Sequence, residues 1–145
     1  MEKKAVYVIQ GPNLNLLGKR EPNYYGLNSL QEIHEMIQQH FPGYEIEFYQ
    51  SNIEGELITK VQEAGAFAKA LIINPGGYSH TSVALTDALR ACPILKVEVH
   101  MSNIHNREEY RQHTLTGSAV SGVISGLGAD GYVLAMQWID KKIGD

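Results

Sequence analysis

The chain has 145 residues, 43% hydrophobic and 19% charged, which fits a single domain over 1–145 and excludes a disordered polymer. Twelve Lys and Arg against 16 Asp and Glu give a net charge of −4 with no long block of one sign. That disfavours a nucleic-acid partner, which asks for a basic stripe.

The elements follow in chain order. The opening MEKK precedes only AVYVI (5–9), too short for a signal-peptide core, and no segment approaches membrane-spanning length. A cytoplasmic protein with no membrane partner is expected. AVYVI itself is a continuous, β-branched apolar run, as in a strand buried on both faces. A polar loop, GPNLNLLGKREPNYYG (11–26), follows. A connection this long in a compact domain is functional or disordered. SLQEIHEMIQQH (29–40) opens with a capping box, Ser29 and Glu32, and places Leu30, Ile33, Met36 and Ile37 on one helical stripe. His34 and His40 on this helix read as solvated surface histidines. EIEFYQ (45–50) reads as a strand, ELITKVQEA (56–64) as a helix and ALIIN (70–74) as a buried strand. SVALTDALRA (82–91) is a short helix, ILKVEVH (94–100) a strand and GVIS (122–125) a weaker one. DGYVLAMQWIDKK (130–142) closes the chain, with Asp130 placed as an N-cap and Lys141 and Lys142 at the negative end of the helix dipole. Cys92, the single cysteine, excludes an internal disulfide framework and reads as a small buried apolar residue.

The alternation βαβαβαβ with closing αs argues for a parallel sheet covered on both faces. Five strands in this order most often give the flavodoxin-like three-layer α/β sandwich with strand order 2-1-3-4-5. Ligands of such sheets bind beyond the carboxyl ends of the strands where the order reverses. Loops 11–26, 75–82 and 98–106, the most polar of the chain, are expected to converge there.

Two patterns invite other readings. GLGADG (126–131) matches G-x-G-x-x-G between a strand and a helix, but the motif needs an acidic residue about 20 positions on. The chain ends 14 residues after Gly131, so Gly126 and Gly128 read as a tight turn. Glu98 and His100 share one face of a strand, with His105 nearby. A metal is conceivable, yet a carboxylate beside an imidazole also orients and charges that ring without one. His113 reads as structural.

The segments GPNLNLLGKREPNYYG, INPGGYSHTSVALTDAL and VEVHMSNIHNREEYRQH, with GVISGLGADGYVLA near the end, together closely resemble the type II 3-dehydroquinate dehydratases. The resemblance covers essentially the whole chain. It implies the flavodoxin-like fold, the dehydration of 3-dehydroquinate to 3-dehydroshikimate through an enolate, no cofactor and no metal. It also implies trimers, four of which form a dodecamer. Departures occur after Arg111, where QHTLTGSAVSG stands in place of His-Ser-Tyr and a following Ser. Met101 replaces the usual Ile, Leu or Val, and Thr86 often corresponds to a basic residue. None touches a catalytic side chain.

The resemblance carries roles onto matching residues. The two adjacent tyrosines cannot be told apart by local pattern; the family match selects Tyr25, directly before Gly26, as the base. A free tyrosine has a pKa of about 10, and lowering it to neutrality takes about 4 kcal/mol. One Arg charge about 4 Å away supplies about that much at an effective dielectric near 20. Arg20 has this role by resemblance, and Gly18 and Gly26 bracket a segment able to close as a lid. His100 becomes the general acid, held and favoured in its charged form by Glu98. Asn13 positions a water or hydrogen bond on the enolate oxygen. Asn74 and the backbone N–H groups of Met101 and Ser102 receive the substrate carboxylate, and His80 and Arg111 hold the ring hydroxyls. Asp87 lies more than a turn into its helix and is expected to reach a neighbouring subunit's site, with Arg107 supporting that network. The rival of another class is a non-catalytic flavin- or phosphate-binding module, which needs a hydroxyl- and glycine-rich loop after the first strand. A Schiff-base lyase is a further rival, but Lys3, Lys4, Lys19 and Lys96 lack an evident desolvated setting.

Overall fold

The first apolar run becomes strand β1 (Lys4–Gln10), and the period-two geometry of a strand divides its side chains between two layers. Val6 and Val8 pack with Ile33, Ile37, Tyr132, Met136 and Ile139. Tyr7 and Ile9 pack on the opposite face with Leu57, Val61, Leu85 and Leu89. Strand β3 (Ala70–Asn74) repeats the division, with Ile72 in the first layer and Leu71 and Ile73 in the second. Strands covered on both faces cannot alternate with polar residues, so both read as unbroken apolar runs. Truncating a core side chain such as Ile72 to alanine would cost about 2–5 kcal/mol.

The computed structural model describes residues 2–18 and 28–144. The remaining strands are β2 (Tyr44–Gln50), β4 (Leu95–His100) and β5 (Gly122–Ser125). All pairings are parallel and the order is β2-β1-β3-β4-β5, as expected for the flavodoxin-like sandwich. Helices α1 (Leu30–His40) and α4 (Asp130–Ile143) cover the first face, and α2 (Glu54–Phe67) and α3 (Val83–Ala91) the second. The order reverses between β1 and β3, which opens a crevice at their carboxyl ends.

Local chemistry sets the helix starts. The Ser29 hydroxyl accepts from the Glu32 N–H at 3.2 Å while the Glu32 carboxylate accepts from the Ser29 N–H at 3.0 Å, the expected capping box. Ser82 accepts from the Leu85 N–H at 2.9 Å and begins α3. Helix α2 extends beyond its expected 56–64 at both ends, its last residue Phe67 exposed. Cys92 is buried, its Sγ 3.7 Å from the Val61 carbonyl.

Two expectations fail. Asp130 is not the N-cap of α4: Ala129 takes that position without a side-chain cap, because the turn at Gly128 starts the helix one residue earlier. Asp130 stays in the first turn, where its charge still meets the positive end of the dipole. His34 is not solvated either. It flanks the apolar stripe of α1 and stacks on Phe48 of β2, ring centroids 4.3 Å apart and 19° from parallel. Burial lowers its pKa to about 4.

Candidate active site

The loops after β1 and β3 meet at the crevice. The Gly11 N–H donates to the Asn74 carbonyl at 2.7 Å, and a Cβ on Gly11 would stand 2.4 Å from the Pro75 carbonyl oxygen. Only glycine permits that approach. The loop after β4 is drawn in by the turn after β5, where Gly126 and Gly128 have positive φ and donate to the carbonyls of His100 and Met101. GLGADG is thus a tight turn that braces the loop behind His100.

Between these loops lies a narrow cleft lined by Pro12, Leu14, Asn74, Gly76, His80, His100, Met101, Ser102, Ile104, Arg107 and Arg111. Segments 11–18, 75–82 and 98–106 therefore converge as expected, joined by the short 3-10 turn at Glu109–Arg111. A second hollow, about 280 Å³, lies beside β5 among Val97, Val123, Ile124 and Trp138, with no ionisable side chain in its wall among the described residues.

Strand alternation puts Glu98 and His100 on one face of β4. Glu98 is fully buried, and its Oε2 accepts from His100 Nε2 at 2.6 Å. Its Oε1 has no hydrogen-bond partner among the described residues. A desolvated carboxylate with one partner concentrates its charge on that partner, and the imidazole keeps Nδ1 for other use. The His80 ring lies 6.3 Å from that of His100, centroid to centroid. Its Nδ1 donates to the His113 carbonyl at 2.9 Å, which leaves Nε2 as an acceptor. Burial, chiefly, lowers the His80 pKa and keeps the ring neutral at neutral pH.

Arg111 donates from Nε to Glu108 at 2.7 Å and lies over the Tyr110 ring. Arg107 is almost entirely buried and donates from Nη1 to the Ser102 hydroxyl at 3.3 Å. Asn74, at the end of β3, accepts from the Gly76 N–H through Oδ1 and donates from Nδ2 to the Tyr132 hydroxyl at 3.0 Å.

The cleft brings together Asn74, His80, His100, Met101, Ser102 and Arg111, with Glu98 directly behind His100. Asn13, left-handed at φ 70°, is exposed between the lining residues Pro12 and Leu14, its N–H on Asn52. Asp87 is exposed on α3 and is not brought to this cleft. The readings of Arg20, Tyr25 and Gly26 lie outside the described residues. Lys96 spends its ammonium on the carbonyls of Leu89 and Cys92, at the far end of β4.

Among the described residues no group of three or more His, Cys, Asp or Glu could hold a metal ion, and no helix is long and apolar enough to cross a membrane. Sequence reasoning missed Gln10 and Tyr132 behind Asn74. A polar residue closing the apolar run of β1 was a usable signal for Gln10; Tyr132 sits on the buried face of α4 like any core aromatic.

Comparison with known proteins bears on what this cleft serves. The sequence profile described as "Dehydroquinase class II" matches residues 4–140. A 3-dehydroquinate dehydratase of Bartonella henselae is 49% identical over 139 residues, 94% of either chain. The type II dehydroquinase crystal structure from Butyrivibrio crossotus superposes with a TM-score of 0.92 at 42% identity, covering 95% of this chain and 98% of its own. That from Propionibacterium acnes gives 0.93 at 35% identity, covering 96% and 97%.

Proposed function

The chain belongs to the class II dehydroquinase family, and from that premise we propose how its cleft, within a single catalytic domain, carries out the family's reaction. It is an enzyme that dehydrates 3-dehydroquinate, the dehydration step of the shikimate pathway. A flavin- or phosphate-binding module is not favoured.

The reaction takes a proton from the carbon alpha to a ketone and expels hydroxide from the carbon beta to it. It needs a base, a stabiliser for the enolate and an acid for the leaving group. The observation that supports the acid assignment is the buried Glu98–His100 pair facing the cleft. With Nε2 committed to Glu98, His100 gives the departing hydroxyl its proton from Nδ1, and the carboxylate stabilises the cation before transfer. Tyr25, made acidic by Arg20, is the base that removes the alpha proton from the opposite side of the ring in an anti elimination. Asn13 holds a water or hydrogen bond on the enolate oxygen.

Asn74 and the backbone N–H groups of Met101 and Ser102 take the substrate carboxylate. His80, neutral and with Nε2 as an acceptor, receives a ring hydroxyl, while Arg111 donates to another. Arg107 braces Ser102 from below. Neither a metal nor a cofactor takes part. Asp87, exposed on α3, completes the site of a neighbouring subunit, in trimers that assemble four at a time into a cytoplasmic dodecamer.

The test is to incubate the purified chain with 3-dehydroquinate and follow the conjugated enone product. Turnover should persist with a chelator and survive borohydride added with substrate. No product, or loss of rate on chelation or borohydride treatment, would overturn the reading.

A further inference from the structure

Behind the cleft, a buried hydrogen-bonded chain runs through the first core layer. Asn74 Nδ2 donates to the Tyr132 hydroxyl at 3.0 Å, and Tyr132 donates to Gln10 Oε1 at 2.8 Å. Gln10 Nε2 then lies 3.4 Å from Nε2 of His34. At the cleft end, the Gly76 N–H donates to Asn74 Oδ1 at 3.1 Å. Gln10 and Tyr132 are fully buried and Asn74 is 4% exposed.

The direction of every link follows from the two ends. A backbone N–H can only donate, so Asn74 must turn its oxygen to Gly76 and its NH₂ to Tyr132. A phenol has one hydrogen; having accepted from Asn74, Tyr132 gives that hydrogen to Gln10 Oε1. Gln10 therefore turns its NH₂ to His34, whose facing nitrogen must be an unprotonated acceptor. The stacked, half-buried ring is kept neutral, its pKa near 4. A flipped Asn74 amide would set NH₂ against the Gly76 N–H and oxygen against a phenol whose hydrogen is already given. Buried polar groups left without partners in this way are costly.

An amide NH₂ has two hydrogens, and Tyr132 takes one. The other remains for the cleft that Asn74 lines. We propose that Tyr132 and Gln10 are positioning residues that lock the Asn74 carboxamide so that it offers the substrate carboxylate a donor. In the flipped state the amide oxygen would face that carboxylate, acceptor against acceptor. The inference rests on the dehydratase reading and adds to it the means by which one anion contact is oriented.

A double-mutant cycle tests it. Steady-state rates with 3-dehydroquinate are measured for the wild type, Tyr132→Phe, Asn74→Ala and the double variant, with thermal midpoints recorded beside them. Tyr132→Phe should raise KM roughly three- to tenfold, the worth of one oriented hydrogen bond, with kcat within about twofold. In the Asn74→Ala background the same change should move KM by less than about 1.5-fold, since no amide remains to orient. A merely structural Tyr132 would lower the thermal midpoint and shift KM by one factor in both backgrounds. That result, or an unchanged KM in Tyr132→Phe, overturns the proposal. Should Tyr132→Phe fail to fold, Gln10→Met, which removes the acceptor of the phenol hydrogen, enters the same cycle with the same criteria. A wild type without turnover overturns the dehydratase reading itself, an outcome distinct from an active enzyme whose cycle shows no coupling.

Discussion

Glu98→Gln keeps the volume of the buried side chain and an oxygen able to accept from His100, and removes only the negative charge. The two groups lie 2.6 Å apart, nitrogen to oxygen. A hydrogen bond to a charged group is worth about 1.5–3 kcal/mol. Losing that support for the proton donor would slow the elimination roughly 10- to 10²-fold. The measurement is initial-rate appearance of the enone across substrate concentration. KM should move by less than about threefold, because the carboxylate stands behind His100 and does not touch substrate. Stability should follow the opposite course. Glu98 is fully buried with Oε1 unpartnered among the described residues, so a neutral amide relieves a desolvation cost. The thermal midpoint at neutral pH should stay level or rise. A variant with kcat within about threefold of wild type and an intact fold would refute the reasoning, since it would leave the charge without a catalytic part.

Tyr25→Phe should abolish turnover while product binding, followed by calorimetry, survives; normal turnover would remove the tyrosine from the reaction. Arg20→Ala should raise the apparent pKa of the basic group, moving the ascending limb of the pH–rate profile to higher pH, and an unmoved profile would count against activation by this cation. Asp87→Ala should raise KM or weaken assembly in analytical ultracentrifugation, and wild-type behaviour in both would end its cross-subunit role. His34 makes folding pH-dependent: its pKa is about 4 folded against 6.5 unperturbed, so the unfolded chain takes up the proton first as pH falls. Stability present above pH 6.5 is then lost as pH drops toward 4, by about 2 kcal/mol once partial solvent access is allowed for. His34→Leu should flatten that part of the stability profile in denaturant titrations at pH 7 and 4.5, and an equal slope in both proteins would contradict the assignment.

Much of this architecture is legible in the sequence. The unbroken apolar runs of β1 and β3 are what central strands become when both faces are covered, and they placed the reversal of strand order between them. With right-handed crossovers, that reversal dictates which loops meet, so a cleft built from segments near 12, 76 and 101 could be expected. The Ser29–Glu32 box is a local signal and survived intact. What stayed hidden depends on partners distant in sequence. The environment of His34 is set by Phe48 on another element, and a helical stripe says nothing of how its flank packs. The Tyr132–Gln10 hydrogen bond joins residues 122 positions apart, with no periodicity to announce it. Asp130 was misplaced by one residue because the preceding Gly128 turn, a backbone property, set the helix start. Tyr24 and Tyr25 are adjacent in one polar stretch of sequence, and residue chemistry alone gives no ground for choosing between them.

The most direct test of where the chemistry happens is a crystal structure with 3-dehydroshikimate bound. The product should occupy the cleft at the carboxyl ends of β1, β3 and β4, its carboxylate on Asn74 and the N–H groups at 101 and 102, with the His100 ring against the carbon that lost its hydroxyl. Product seated in the apolar hollow beside β5, with this cleft empty, would contradict the account.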